Sequence, residues 1–242
     1  MNALEFKLDF TTAENSVKGV PVVIVAAGGS SRMKGIDKQF LPILGIPLLA
    51  RTLLAFEKSR YISDIFVVTQ KEKQEDIRKL CDKYMISKLT GIVEGGSSRE
   101  ESVKNGLNAL PKDTDKVLIH DGARPLVSGE VIKNVALALE DTDCVSCAVK
   151  TKDTIKRVNS EGICVETVDR DGLVNIQTPQ GVKVSLFLKT AQGADLNQFT
   201  DDTSVMEFAG VKTKIVEGDY KNIKVTTPED IALATIYLEG EM

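Results

Sequence analysis

The feature that most constrains the fold is the apolar run Val20–Ala27, which breaks at once into the small residues 28–31. The run is rich in β-branched residues and does not alternate with polar ones, a pattern typical of a strand covered on both faces of a parallel sheet. It predicts the central strand of such a sheet. Small residues directly after a buried strand let backbone N–H groups approach a ligand, and the cations Arg32 and Lys38 follow them. Together these residues predict a loop that holds a polyphosphate.

The glycine-rich turn does not fit two widespread phosphate-loop patterns. The Walker pattern G-x-x-x-x-G-K-[ST] requires glycine where this chain has Met33, and the dinucleotide pattern G-x-G-x-x-G requires glycine at Ser30. The stretch instead resembles A-A-G-x-x-x-R-M followed by K-Q, the opening signature of the sugar-nucleotide type of nucleotidyltransferase. Taken alone, it is also compatible with an ordinary strand-to-helix turn that carries two solvated cations.

Strand-like runs alternate with amphipathic stretches along most of the chain. Helical spacing of apolar residues predicts helices over 47–59, 72–84, 98–110, 128–140, 183–192 and 202–209, and a last helix from Thr227. The predicted strands are 64–70, 89–94, 116–120, 143–149, 212–217 and 222–225. This alternation predicts an α/β fold with a Rossmann-like, mostly parallel sheet and helices on both faces. In such sheets the ligand lies beyond the carboxyl ends of the strands.

Residues at about 151–178 depart from this alternation. Thr154–Val158 and Ile163–Val168 alternate like strands on either side of the turn-rich residues 159–162. They predict a β-hairpin arm inserted into a single α/β domain of residues 20–242, preceded by a lead-in, residues 1–19, of unknown role. A two-stranded arm is only marginally stable in water, so we expect it to pack on a second copy of the chain.

Composition and charge exclude several classes of protein. Charged residues make up 27% of the 242 residues and hydrophobic ones 42%, which is neither a disordered nor a membrane-embedded composition. No apolar stretch reaches the length of a transmembrane helix, and the N-terminus lacks a basic leader followed by a hydrophobic segment. We therefore expect a cytoplasmic protein without a membrane partner. A formal net charge of −4 argues against bulk binding of nucleic acid.

The cysteines do not form a recognisable metal site. Cys144 and Cys147 have C-x-x-C spacing, but residues three apart on a strand face opposite sides of the sheet. The chain contains one histidine and no second C-x-x-C pair to complete a zinc site. We expect these two residues, with Cys81 and Cys164, to be structural and reduced.

A second cluster with chemical potential is Glu94–Val103. Gly95 and Gly96 end a predicted strand, Ser98 is a candidate N-cap, and Glu101 is its capping-box partner. Glycine backbone and small hydroxyl groups at a helix N-terminus suit recognition of a base edge through hydrogen bonds. An ordinary loop with a well-capped helix is the alternative.

A third cluster, residues 119–125, follows another predicted strand. Asp121 is suited to face Mg²⁺, which takes few protein carboxylates and completes its shell with phosphates and water. Arg124 is suited to clamp a phosphate, although an Asp–Arg pair three apart also forms loop salt bridges. His120 invites a role as general base, but its place at the very end of a strand favours a packed, structural role.

The fourth cluster, Lys221–Asp230, precedes the last predicted helix. Lys224 and Thr226 lie two apart and so share one face of the predicted strand, next to a helix N-terminus. A cation, a hydroxyl group and a helix dipole make a second anion site. Two phosphate groups are therefore expected to be gathered at one edge of the sheet.

A series of short motifs carries a specific resemblance. In order, they are A-A-G-G-S-S-R-M, K-Q, G-G-x-x-R-x-x-S-V, H-D-G-A-R-P, D-T, T-V-D-R, T-P-Q, T-D-D and N-I-K-V-T-T-P-E-D. Over residues 20–239 the chain resembles the 2-C-methyl-D-erythritol 4-phosphate cytidylyltransferases of the non-mevalonate isoprenoid pathway. The resemblance implies transfer of CMP from CTP to methylerythritol phosphate with Mg²⁺ and release of pyrophosphate. It also implies a homodimer formed through the β-arm.

The resemblance also implies roles for single residues of this chain. Catalytic roles fall on four cations, of which the first two contact the triphosphate: Arg32, Lys38, Arg170 and Lys224. The cytidine site is lined by Ala26, Ala27, Gly28, Gly96 and Ser102. Asp121 lies by the metal. The acceptor phosphate is positioned by Arg124, Lys224 and Thr226, together with Thr154 and Arg170 from the arm of the other subunit.

Two positions depart from the family's usual pattern. Ser30 stands where a second glycine is usual, and Ser97 stands where an acidic residue is common. Two other functions remain open at this point. One is a cytidylyltransferase for another polyol phosphate, such as ribitol 5-phosphate, and the other is a nucleotide-binding protein without catalytic activity. Turnover of CTP with each acceptor distinguishes the three.

Overall fold

The computed structural model describes residues 18–28 and 38–240. Arg32 and Ser30 of the glycine-rich turn therefore lie outside the described residues, as does most of the predicted lead-in.

The strands form one large sheet and two small hairpins. In chain order they are β1 (Val20–Val25), β2 (Pro42–Ile43), β3 (Ile46–Pro47), β4 (Ile62–Thr69), β5 (Leu89–Glu94), β6 (Lys116–Asp121), β7 (Cys144–Lys150), β8 (Ile155–Val158), β9 (Cys164–Val168), β10 (Val174–Lys183) and β11 (Lys214–Glu217). The seven-stranded sheet has the order β11-β7-β10-β6-β1-β4-β5. Only β10 among these strands runs antiparallel to its neighbours, β6 and β7. The predicted α/β fold with a mostly parallel sheet is confirmed.

Helices follow most strands of the sheet. They are α1 (Leu48–Glu57), α2 (Gln74–Lys83), α3 (Arg99–Asn108), α4 (Gly129–Glu140), α5 (Val184–Gly193), α6 (Asp202–Phe208) and α7 (Pro228–Glu239). None of the helices in the described part of the chain is both long and apolar enough to span a membrane.

Alternate residues of β1 lie in two hydrophobic cores, one on each face of the sheet. Val22 and Ile24 are fully buried in a core that also contains Leu53 of α1 and Val135 of α4. Val23 is fully buried on the opposite face, in a core with residues of α3, α5 and α6. The absence of polar alternation in this strand thus reflects helices on both faces of the sheet, as predicted.

Strand β1 is interior but not central, because β6 occupies the middle position of the sheet. The strand that sequence patterning missed is β10, which inserts between β6 and β7. Its central residues, Gln177–Gln180, are polar or proline and so do not resemble a buried strand, yet Gln177, Thr178 and Gln180 are buried. Thr178 accepts from the Asp121 N–H of β6, and Gln177 and Gln180 donate to neighbouring loops; these hydrogen bonds replace the apolar packing that usually marks such a strand.

The predicted strand 222–225 is wrong. These residues form an irregular extended segment that belongs to no sheet, although the Val225 N–H donates to the Ala123 carbonyl at 2.8 Å. The segment is held by the loop after β6 rather than by a strand ladder. Asn222 and Val225 of this segment are fully buried.

The predicted hairpin arm is confirmed as an antiparallel pair, β8 with β9, separate from the main sheet. It is shorter than the predicted 151–178, because β10 begins at Val174 and pairs with β7. Every residue of β8 is exposed, and three apolar side chains of the arm, Val158, Ile163 and Val165, are more than half exposed.

The four cysteines are free thiols. Cys81, Cys144 and Cys147 are buried, and burial raises the pKa of Cys144 to about 11 and that of Cys147 to about 12. They behave as inert core residues, as predicted. Cys164 lies exposed on β9 and so does not fill the core position expected of a structural cysteine.

Candidate active site

The predicted clusters meet where β1 and β6 end side by side. Beyond β1, the Ala26 N–H donates to the Val68 carbonyl at 2.7 Å. Beyond β6, the Gly122 N–H donates to the Val25 carbonyl at 2.9 Å. These bonds extend the parallel ladders by one residue and fix the loops that follow.

The loop Gly95–Ser98 packs directly on the residues after β1. A Cβ placed on Gly95 would lie 2.4 Å from the Cβ of Ala27, a separation that real side chains do not reach. The Gly95 N–H donates to the Thr69 carbonyl at 2.8 Å. Glycine is therefore required for this loop to lie against Ala27, and the two clusters predicted to bind the nucleotide are neighbours.

Ser102 holds this loop from beneath. Its buried hydroxyl accepts from the Gly96 N–H at 2.9 Å and donates to the Ser98 carbonyl at 2.8 Å. The Ser98 hydroxyl accepts from the Glu101 N–H at 3.1 Å, so the predicted N-cap of α3 is confirmed. The Glu101 carboxylate, however, accepts from the backbone N–H and the hydroxyl of Ser97, not from Ser98, and these bonds lower the pKa of Glu101.

Three cations surround the carboxylate of Asp121, which is 8% exposed. Its Oδ1 lies 3.1 Å from Arg99 Nε, and its Oδ2 lies 2.9 Å from Lys224 Nζ and 3.5 Å from Arg124 Nε. Burial alone would raise the pKa of Asp121, but Arg99, Lys224 and Arg124 outweigh burial and hold the pKa well below its ordinary value. The carboxylate is therefore ionised at neutral pH.

The segment 222–226 joins three of the predicted clusters. Arg124 Nη1 donates to the Asn222 carbonyl at 2.7 Å, and Lys38 Nζ donates to the Val225 carbonyl at 3.1 Å. Lys38 thus contacts the same short segment that carries Lys224. The hydroxyl and N–H of Thr226 both donate to the Asp230 carboxylate of α7, at 2.9 and 2.7 Å.

A cavity of about 420 Å³ opens beside Asp121. Its lining includes Arg124 and Lys224, polar residues of β10 and the first turn of α6. Neither Thr154 nor Arg170 is among its lining residues in the part of the chain that the structure describes. Arg99 also lines the cavity, and polar walls with three cations suit a small, highly hydroxylated anion.

The pair Arg99–Asp202 is a feature that sequence patterning did not assign. The guanidinium makes two parallel bonds to the carboxylate, Nη1–Oδ1 at 2.9 Å and Nη2–Oδ2 at 2.8 Å, beside its contact with Asp121. Both residues belong to the quoted motifs G-G-x-x-R and T-D-D. Those motifs were the available signal, but they do not reveal which residues pair.

The match to a family model decides the identity of the chain. Residues 20–240 match the model described as "IspD: 2-C-methyl-D-erythritol 4-phosphate cytidylyltransferase". The chain belongs to this family. The predicted resemblance is thereby confirmed, and the chain is a cytidylyltransferase of isoprenoid biosynthesis.

Individual relatives of the IspD family agree with this result. A 2-C-methyl-D-erythritol 4-phosphate cytidylyltransferase of Bacillus cereus is 42% identical over 220 residues, which is 90% of this chain and 96% of the relative. One from Clostridium botulinum is 41% identical over 221 residues, with the same coverage of each chain. The crystal structure of the 4-diphosphocytidyl-2C-methyl-D-erythritol synthase from Anaerococcus prevotii has a TM-score of 0.80 and 33% identity, covering 92% of this chain and 96% of that one.

The arm residues that the IspD resemblance places in the acceptor site lie apart from it within one chain. Thr154 and Arg170 are both exposed. Arg170 Nη1 donates to the Lys152 carbonyl at 2.5 Å, within the arm itself. Their predicted role therefore depends on a second subunit.

Within its described residues, the IspD site contains no protein cage for a metal. Among residues 18–28 and 38–240, no group of three or more His, Cys, Asp or Glu side chains is placed to hold an ion. Asp121 offers one ionised carboxylate at the edge of the cavity. A single carboxylate fits Mg²⁺ only when substrate phosphates supply most of its other ligands.

Proposed function

We propose that this chain catalyses transfer of CMP from CTP to 2-C-methyl-D-erythritol 4-phosphate by gathering the anionic groups of both substrates where β1 and β6 end. The single observation that carries the proposal is a cluster of three cations: Lys38 and Arg124 donate to carbonyl groups of segment 222–226, and Lys224 of that segment contacts Asp121. These contacts concentrate positive charge at one point of an acidic protein. Such a site suits two polyanions that must approach each other.

The nucleotide is expected to bind over the contact between Gly95 and the residues after β1. Ala26, Ala27 and Gly28 present short side chains or none at this edge, and Gly96 follows in the loop held by Ser102. The close packing of Gly95 on Ala27 supports a preformed cleft for the base. Arg32 and Lys38 are expected to contact the triphosphate; for Arg32 the support is its sequence motif.

The acceptor is expected to occupy the cavity beside Asp121. Arg124 and Lys224 line this cavity and would bind the phosphate of the polyol. Thr226 lies at the N-terminal end of α7, where the helix dipole also favours an anion. Thr154 and Arg170 of a second subunit are expected to complete the site.

The chemistry needs positioning and charge neutralisation more than proton transfer. An oxygen of the acceptor phosphate attacks the α-phosphorus of CTP, a new P–O bond forms, and the bond to the β-phosphate oxygen breaks with release of pyrophosphate. A phosphate monoester is already a competent nucleophile at neutral pH, so no general base is required. Arg32, Lys38 and Lys224 would stabilise the negative charge of the transition state.

Asp121 would hold Mg²⁺ as its one protein carboxylate, in agreement with the lack of a cage in the described residues. Bound there, the ion would neutralise charge on the triphosphate. Lys224 and Arg124, now paired with Asp121, would turn toward the substrate phosphates.

A homodimer formed through the arm is part of the proposal. The exposed apolar residues Val158, Ile163 and Val165 support it, because they leave a patch of the arm that a second chain would cover. The same dimer would bring Thr154 and Arg170 to the partner's cavity.

The test is pyrophosphate release by the purified protein with CTP and Mg²⁺. Methylerythritol phosphate and ribitol 5-phosphate are compared as acceptors, and ATP, GTP and UTP replace CTP in parallel. We expect turnover with CTP and methylerythritol phosphate alone. Preference for ribitol 5-phosphate would overturn the acceptor, and CTP binding without turnover would indicate a nucleotide-binding protein.

A further inference from the structure

Arg99 lies at the junction of the nucleotide loop and the acceptor cavity. It is the first residue of α3 and follows directly on the loop Gly95–Ser98. Its guanidinium spans two carboxylates, Asp121 at 8% exposure and Asp202 at 1%. Two buried carboxyl groups held so close together depend on the cation between them.

Asp202 connects this junction to a wall of the cavity. It begins α6, and its backbone N–H donates to Gln180 Oε1 at 2.9 Å. Gln180 Nε2 in turn donates to Asp201 Oδ2 at 3.0 Å, and Asp201 caps α6 through the Ser204 N–H at 2.9 Å. Arg99, Asp201, Ser204 and Gln180 line the cavity, whereas Asp202 itself does not. The position of this wall therefore depends on the Arg99–Asp202 pair.

The hydrogen bonds of the Arg99 guanidinium fix its position relative to both carboxyl groups. Both terminal nitrogens of Arg99 are engaged by Asp202, while Nε is engaged by Asp121. A planar guanidinium cannot move at one carboxylate without moving at the other. A bound nucleotide that fixes the loop would therefore also fix Asp121 and the start of α6.

We propose that Arg99 is a positioning residue that couples the nucleotide loop to the acceptor cavity, so that a bound cytidine nucleotide raises the affinity of the cavity for the polyol phosphate. This inference rests on the proposed function, because it takes the two ligands from it. Lys224, at 40% side-chain exposure, is placed to leave Asp121 for a substrate phosphate, while Arg99 keeps Asp121 in place.

The test measures the affinity for methylerythritol phosphate by calorimetry, with and without the non-transferable analogue α,β-methylene-CTP. The ratio of the two dissociation constants is the coupling, and we expect at least about tenfold for the unmodified chain. Arg99→Lys keeps the positive charge but loses the pair of parallel hydrogen bonds to Asp202. Asp202→Asn keeps the shape of the side chain, and Asp202 does not line the cavity. Both variants should bring the coupling to within about twofold of unity while the analogue still binds. Arg78→Lys, on the exposed face of α2, is the matched control and should retain the full coupling.

Each other result counts against the inference in a distinct way. Coupling unchanged in both variants, even with lower thermal stability, would reduce Arg99 to a structural role. Loss of coupling in Arg99→Lys but not in Asp202→Asn would mean that Arg99 acts by direct contact with substrate. If Arg99→Lys does not fold, Asp202→Asn alone decides. Normal turnover with no coupling in the unmodified chain would overturn this inference and leave the proposed function standing, whereas no acceptor binding at all would overturn both.

Discussion

The hydroxyl of Thr178 and Nδ1 of His120 lie 3.0 Å apart and join β10 to β6 beneath the candidate site. The same hydroxyl accepts from the Asp121 N–H at 3.1 Å, so its proton is directed to Nδ1. His120 Nε2 therefore carries the ring proton and donates to the Arg124 carbonyl at 3.2 Å. His120, which the sequence made a candidate general base, is fully buried. Its neutral ring stabilises the positions of Asp121 and Arg124 through these hydrogen bonds.

The burial of the neutral His120 ring predicts that the stability of the protein depends on pH. Burial lowers the pKa of His120 to about 3, whereas an unfolded histidine titrates near pH 6.5. Below about pH 6.5 only the unfolded state takes up the proton, so the free energy of unfolding should fall by about 1.4 kcal/mol per pH unit toward pH 3. The effect is absent above about pH 6.5.

Urea unfolding between about pH 7.5 and pH 5 measures this slope. Because the chain has one histidine, the slope in this window is expected to disappear in His120→Asn. The single histidine should also give an NMR signal that does not titrate in the same window. A signal that titrates near pH 6.5 would contradict the buried, neutral ring.

Lys38→Ala is expected to lower kcat by about 10²–10³-fold or more, because it removes a preorganised charge next to segment 222–226. Steady-state pyrophosphate release measures the effect. Lys79→Ala removes a cation that is 70% exposed on α2 and should leave kcat unchanged. An unaltered kcat in Lys38→Ala would exclude Lys38 from the mechanism.

Gly95→Ala should damage the nucleotide site. The added Cβ would lie 2.4 Å from the Cβ of Ala27 and 3.1 Å from Ser102 Oγ, so the loop must move away from β1. We expect kcat/KM for CTP to fall about tenfold or more, because a small displacement of a positioning loop is costly. Gly129→Ala, where the new methyl group meets nothing within 4 Å, is the control. Equal kinetics in the two variants would contradict a role for this contact.

Mixing two defective variants tests whether the arm serves the partner's site. Arg170→Ala and Lys38→Ala should each be nearly inactive alone. If each arm completes the other subunit's site, randomly formed hybrid dimers contain one intact site, and about a quarter of the unmodified rate should return. Lys38→Ala mixed with Lys224→Ala, two residues of one chain's own site, should show no recovery. No recovery in the first mixture would mean that the arm acts within its own subunit.

Local patterns predicted most of the strand ends that carry the candidate site. Neighbouring residues in the sequence are enough to identify three of these features. They are the apolar run of β1, the glycines after β5 and Asp121 at the end of β6. Strand β10 was not predicted, because its buried residues are polar. Hydrogen bonds, rather than apolar contacts, stabilise Gln177, Thr178 and Gln180 in the interior. Periodicity of hydrophobic residues does not register such a strand.

The pairing of Arg99 with Asp202 escaped for a different reason. The two residues are 103 positions apart, and what brings them together is the placement of α3 and α6 on one face of the sheet. Sequence motifs identified both residues without indicating their contact. Long-range ion pairs of this kind depend on topology, which a single sequence does not display.

The reversed direction of β10 has a consequence for how this fold tolerates change in length. The chain leaves the sheet at Lys150 and returns at Val174, and these two residues are ladder partners on adjacent strands. The two ends of the hairpin insertion therefore lie side by side at the end of the β7–β10 ladder. A short turn should be able to replace residues 152–172 without altering the register of either strand.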